Sequence, residues 1–179
     1  MNCAIGFVAH TGWAAAIAIG AGEQLCLLDR RRVELVAGGF EVAGVYHAAA
    51  ELPLAKAKRL VADVRKSAER SARESVGAIL STLRESGGTP RACAIVGGAK
   101  ELPELAAILE SHALIHTAEG DLYRSVIARA SEAHGLRVEM LHPRDLDADV
   151  GWVRALGRLA GPPWGKDQKL AAVAAARLL

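Results

Sequence analysis

Apolar residues at the start of the chain fall in short runs separated by turn signals. Residues 4–9 form one such run and residues 13–19 a second, with His10-Thr11-Gly12 between them. Runs of this length bounded by turn residues read as strands. Gly20-Ala21-Gly22 turns the chain again, and residues 24–36 predict a third strand. Its start is apolar (Leu25, Leu27, Leu28), and its end alternates Val33 and Leu35 with Arg32 and Glu34. Three strands joined by tight turns predict an antiparallel meander.

After Pro53 the period changes. Ala57, Val61, Val64, Ala68, Ala72, Val76, Ile79 and Leu83 recur at steps of three and four. This is one apolar stripe on a helix of about eight turns, with Pro53 at its start and Gly87-Gly88 past its end. Lys56, Lys58, Arg59, Arg65, Lys66, Arg70 and Arg73 lie between the apolar positions, as a solvated face or a phosphate-facing stripe. Residues 92–96 are a β-rich apolar run of the kind buried in parallel sheets, ended by Gly97-Gly98. The remaining pattern predicts helices over 102–109 and 120–134, a strand over 137–141 and a helix over 152–159. A stiff Gly161-Pro162-Pro163-Trp164-Gly165 loop and a last helix over 167–178 follow. No linker or repeat divides the chain, so residues 1–179 are expected to form a single α/β domain.

Composition narrows the function classes. A chain of 179 residues fits one domain and buries roughly 70% of its unfolded surface. Apolar residues make up 51%, much of it alanine, and aromatics only 4%, so Leu, Val, Ile and Ala must fill the core. A net charge of +2 means that any nucleic-acid footprint has to come from local clustering. Cys3, Cys26 and Cys93 form no Cys-x-x-Cys pair and read as reduced thiols. The first twenty residues lack the basic start and unbroken apolar core of a signal peptide. No run reaches the ~18 apolar residues that span a membrane. A cytoplasmic protein is expected.

The element order, with its opening Ala4-Ile5-Gly6-Phe7-Val8-Ala9-His10-Thr11-Gly12 and Ala14-Ala15-Ala16-Ile17 hairpin, resembles the RNase H-like superfamily, and within it the RuvC-like resolvases. The resemblance implies a mixed sheet of three antiparallel strands followed by alternating helices and parallel strands. It also implies nucleic acid as the substrate class and Mg²⁺ as the cofactor. Those nucleases hold Mg²⁺ with an aspartate on the first strand. This chain has Phe7, Val8 and Ala9 there, and no acid before Glu23. Asp167 matches the acidic position at the start of the last helix, and Lys100-Glu101 falls just beyond the fourth strand. A standard two-metal nuclease is therefore not expected. The chain also resembles the middle domain of archaeal-eukaryotic-type release factors, which is RNase H-like, lacks the metal triad and binds ribosome-associated RNA.

Two segments concentrate polar chemistry. In the first, His112 to Arg124, Thr117 reads either as the N-cap of a helix with Glu119 and Asp121 in its first turn or as part of a site. In the site reading His116 is the general acid or base and Glu119 its partner. His112 and His116 lie four apart, on one face if the segment is helical. Their surroundings lack the glutamate of a zinc-protease motif, and no metal ligands are expected there. The second segment, Gly161 to Lys169, delivers Lys166, Asp167 and Lys169 to a helix start, suited to an anion such as phosphate. The alternative there has Asp167 as an N-cap and Trp164 as an exposed lid. His47, His134 and His142 are expected to flank helices or lie in loops, and Arg30-Arg31-Arg32 to protect a sheet edge. The expected catalytic residues are thus Glu119, His116, Asp167 and His10, with Thr11, Lys166, Lys169 and Arg124 binding substrate. Three functions remain open: a divergent phosphoesterase acting on nucleic acid, a non-catalytic RNA-binding module, and a protein-interaction domain or homodimer.

Overall fold

The computed structural model describes residues 1–37, 40–98 and 100–179. Its sheet has the strand order β3-β2-β1-β4-β5, from β1 (Asn2–His10), β2 (Trp13–Ala21), β3 (Leu25–Glu34), β4 (Thr89–Val96) and β5 (Arg137–Leu141). β1 runs antiparallel to β2 and β2 to β3, whereas β4 is parallel to β1 and β5 to β4. This is the mixed sheet the sequence reading expects.

The helices are α1 (Phe40–Ala43), α2 (Val45–Ala50), α3 (Leu54–Glu85), α4 (Leu105–Leu109), α5 (His112–Ala133), α6 (Gly151–Ala160) and α7 (Lys166–Ala176). They divide between the two faces of the sheet. On one face Cys3, Ile5 and Phe7 of β1 meet a core built with α2, α3 and α5. On the other, Ala4 and Val8 meet α6 and α7. The period-two alternation of a strand makes this partition.

Helix α3 buries its predicted stripe together with Leu80. Its end is closed by Gly87 at φ +75, where the Gly88 amide donates to the Leu83 carbonyl at 2.8 Å. Helix α7 is unusual in burying five of its alanines and valines in a row, Ala171 to Ala175. Small side chains let it settle close on β1, where Gly6 faces the Ala171 carbonyl.

Several local expectations are corrected. Helix α5 starts at His112, not near Gly120, because Ser111 caps it by accepting from the Leu114 amide. Thr117 is therefore no cap, and its hydroxyl donates to the Ala113 carbonyl one turn back. Gly165, not Asp167, is the N-cap of α7, with the Gln168 side chain accepting from its amide at 2.9 Å. Trp164 is half-buried rather than an exposed lid: it lies over Gly157 and donates to the Val153 carbonyl.

Cys3 and Cys93 are free and buried, while Cys26 is partly exposed. Burial pushes the Cys93 thiol up to about 12, against the lowering effect of the Ser131 hydroxyl beside it, and burial raises Cys3 as well. The thiolate is the reactive species. In native protein at pH 8 a disulfide reagent is thus expected to titrate one thiol rapidly, Cys26, and the other two only after unfolding. Two fast thiols would contradict the burial of β1 or β4.

Candidate functional site

Three polar groupings emerge, and they do not coincide. The first joins β1 to α7. His10 shares the parity of Ala4 and Val8 and so faces the α7 side of the sheet, where its Nε2 lies 2.9 Å from Asp167 Oδ2. The imidazole stacks on Trp13 with ring centres 4.3 Å apart, and the Arg32 guanidinium covers that indole. Lys166 is exposed beside this pair, Lys169 lies 3.7 Å from Asp149, and Thr11 lines a small groove with Trp13, Arg32 and Glu34. The arginine row of the edge strand is also used: Arg30 donates to the Gly161 and Pro163 carbonyls and holds the proline loop, and Arg31 pairs with Asp29.

The second grouping lies on the opposite face. Glu119 points into the core side of α5, where it is 3% exposed. Its Oε1 accepts from the His47 ring at Nδ1 (2.9 Å) and from the His47 amide (3.3 Å). A carboxylate only accepts, so Nδ1 carries the proton and the lone pair of the neutral ring is on Nε2. His112 and His116 stand one turn apart on α5 with their Nε2 atoms 3.1 Å apart. Their rings meet that of His47 edge to face, at 5.4 and 4.8 Å between centres. Glu119 and His116 are therefore not partners of each other, as the sequence reading had them; His47 stands between them. Neither joins His10 and Asp167, because α5 and α7 cover different faces of the sheet.

The third grouping is a cavity of about 450 Å³ at the carboxyl ends of β4 and β5, lined by Gly97, Gly98, Lys100, His116, Thr117, Gly120, Arg124, His142 and Pro143. In open α/β sheets this edge is where ligands bind. The Gly97 amide donates to the Leu141 carbonyl and ties the two strand ends together. Arg124 fits because both neighbours are glycine: a Cβ on Gly97, which sits at φ +142, would come within 2.6 Å of Arg124 Cδ, and one on Gly120 within 3.0 Å of its Nη1. Arg124 Nε is buried with no partner among the described residues. Desolvation lowers the guanidinium's affinity for its proton, and Asp121 offsets part of that. Among the described lining residues none is acidic, while Lys100 and Arg124 carry positive charge.

Sequence reasoning missed His47, Lys100 and His142 as members of these groups. Mg²⁺, implied by the fold resemblance, wants oxygen donors. Among the described residues the one cluster able to hold an ion is His47, His112 and His116, a nitrogen set that does not suit it.

No protein-family model matches the chain, and no curated protein matches it in sequence. Solved structures do. RuvC of T. thermophilus in complex with a Holliday junction substrate superposes with a TM-score of 0.59 at 14% identity, covering 99% of this chain and 96% of that one. A second Thermus thermophilus RuvC structure gives 0.54 at 15%, covering 98% and 96%. Identity this low carries the fold and no more, and the chain has the RNase H-like α/β fold of RuvC.

Proposed function

We propose that this domain is a divergent phosphoesterase acting on nucleic acid, with the cavity at the ends of β4 and β5 as its phosphate site. The observation that carries the reading is the acid-free pocket into which Arg124, Lys100, His116 and His142 converge. Arg124 supplies planar donors suited to phosphate oxygens, Lys100 a mobile point charge, and His116 a proton donor or acceptor within the same wall. The T. thermophilus relative holds a Holliday junction on the same fold, which supports nucleic acid as the source of the phosphate. Glu119 acts in this scheme only through His47, since its carboxylate is turned away into the core. His10 and Asp167 pair on the other face, joining β1 to the start of α7, and take no part in this site.

The test is to incubate labelled branched, single-stranded and duplex substrates with the protein and a divalent metal. Cleavage is expected, reduced by about 10²-fold or more in His116→Ala, as removal of a general acid or base does. Absence of cleavage on every substrate, or cleavage that His116→Ala leaves intact, rejects the enzyme.

A non-catalytic RNA-binding reading is favoured by one separate feature, a groove of about 420 Å³ between α3 and α5 where Arg70, Arg73 and Arg129 outnumber Glu69. It predicts salt-sensitive RNA binding without turnover, lost when Arg70 and Arg73 are reversed to glutamate. Binding indifferent to that reversal removes the groove from consideration.

A further inference from the structure

We propose that His47, His112 and His116 bind one divalent d-block ion of the Zn²⁺ class, with Glu119 as the positioning residue behind His47. The inference does not rest on the nucleic-acid reading, because it concerns metal affinity alone.

The helix packing places the donors. His112 and His116 project from the same face of α5, and α2 carries His47 to them while anchored in the core by Val45, Tyr46 and Ala49. One ligating nitrogen from each ring lies within 4.8 Å of those of the other two, and the α5 pair is at 3.1 Å. Nitrogens bound to one tetrahedral ion are about 3.4 Å apart, given metal–nitrogen bonds near 2.0–2.1 Å. Side-chain rotations of the exposed His112 and His116 are enough to close the remainder. Imidazole donors suit Zn²⁺, Co²⁺ or Ni²⁺ and discriminate against Mg²⁺ and Ca²⁺.

Glu119 is the second, independent observation. A nearly buried carboxylate needs cationic or hydrogen-bonding partners, and both partners found for Glu119 come from His47. Its bond to Nδ1 leaves Nε2 as the free donor atom of a ring that packs edge to face on the other two. Carboxylate, histidine and metal in line is how protein sites orient a ligating imidazole and raise its basicity. Three protein nitrogens leave at least one coordination position open. His116 is also part of the cavity wall, so the three histidines stand at the edge of that pocket.

The experiment uses the full chain without a histidine tag, stripped with chelator and titrated with Co²⁺ alone and then Zn²⁺ alone. One equivalent of Co²⁺ is expected to bind with the intense visible absorption of a low-coordinate nitrogen site, and Zn²⁺ to displace it. His112→Gln and His116→Gln alter exposed side chains and so keep the fold. Each is expected to weaken Zn²⁺ by at least about 10²-fold. Glu119→Gln is expected to weaken it by about 10–100-fold and to shift the Co²⁺ spectrum, which a merely structural change would not do. His134→Ala, at the far end of α5, leaves the affinity unchanged. The proposal is overturned if Zn²⁺ binds the native chain no more tightly than it binds the His112→Gln/His116→Gln double variant. It is equally overturned if bound Co²⁺ keeps the faint spectrum of the hydrated ion. Both readouts are taken without nucleic acid, so their failure is distinguishable from failure of the cleavage assay.

Discussion

Gly6→Ala is expected to lower the unfolding free energy by about 3 kcal/mol, at the upper end of what overpacking costs. Gly6 lies mid-strand in β1, paired to Ile17 of β2 on one side and Ala94 of β4 on the other, so the strand cannot shift sideways. An added Cβ would overlap the Ala171 carbonyl oxygen of α7, with the carbonyl carbon at 2.7 Å and the Ala175 amide nitrogen at 3.0 Å. These are backbone atoms of a helix buried from Leu170 to Ala175, and no side chain can rotate away. The helix must lift from the sheet, which also draws Asp167 from His10. Urea unfolding monitored by circular dichroism reads the effect as a fall in midpoint at unchanged slope. Gly22→Ala is the control: its nearest contact would be an ordinary 3.5 Å, and its stability is expected to stay within about 0.5 kcal/mol of the native chain. Equal effects from the two substitutions would contradict the close approach of α7 to β1.

Much of this architecture was readable from periodicity, because long or strictly alternating segments state their buried face directly. The α3 stripe is an example: every position predicted from residues 57 to 83 is buried. Shorter or mixed segments were not readable. Helix α5 begins with His112, His116, Thr117 and Glu119 interleaved among Ile115 and Ala118, so its first two turns carry a diluted apolar stripe and Thr117 imitates a cap. Helix α2 spans six residues, too few for any period, and so the sequence offered no reason to bring His47 to Glu119. The fold resemblance did bring the end of β1 to the start of α7. It gave no means of placing the 112–124 segment, whose side of the sheet is decided by the long α3 packing against α5. The pocket at the strand ends is likewise a product of topology: Gly97, Arg124 and His142 come from three separated stretches of chain.

Arg124→Met is expected to move stability and ligand affinity in opposite directions. The native side chain threads between Gly97 and Gly120, and its Nε is buried without a partner among the described residues. An unpaired buried polar group costs on the order of 1–3 kcal/mol. Methionine retains the apolar stem and removes the unpaired group, so the variant is expected to be more stable by roughly 1 kcal/mol, visible as a higher thermal midpoint. A cost of this kind is retained in proteins where a site needs the group. If Arg124 is the phosphate contact of the cavity, its loss removes charge-assisted hydrogen bonds, and affinity for a single-stranded oligonucleotide at low salt is expected to drop by about 10–100-fold. The slope of log affinity against log salt concentration is expected to become shallower by about 1, the signature of one lost phosphate contact. Fluorescence anisotropy over a salt series measures both quantities. A variant that is less stable and binds as the native chain does would make Arg124 a structural strut, and would move the anion site away from the ends of β4 and β5.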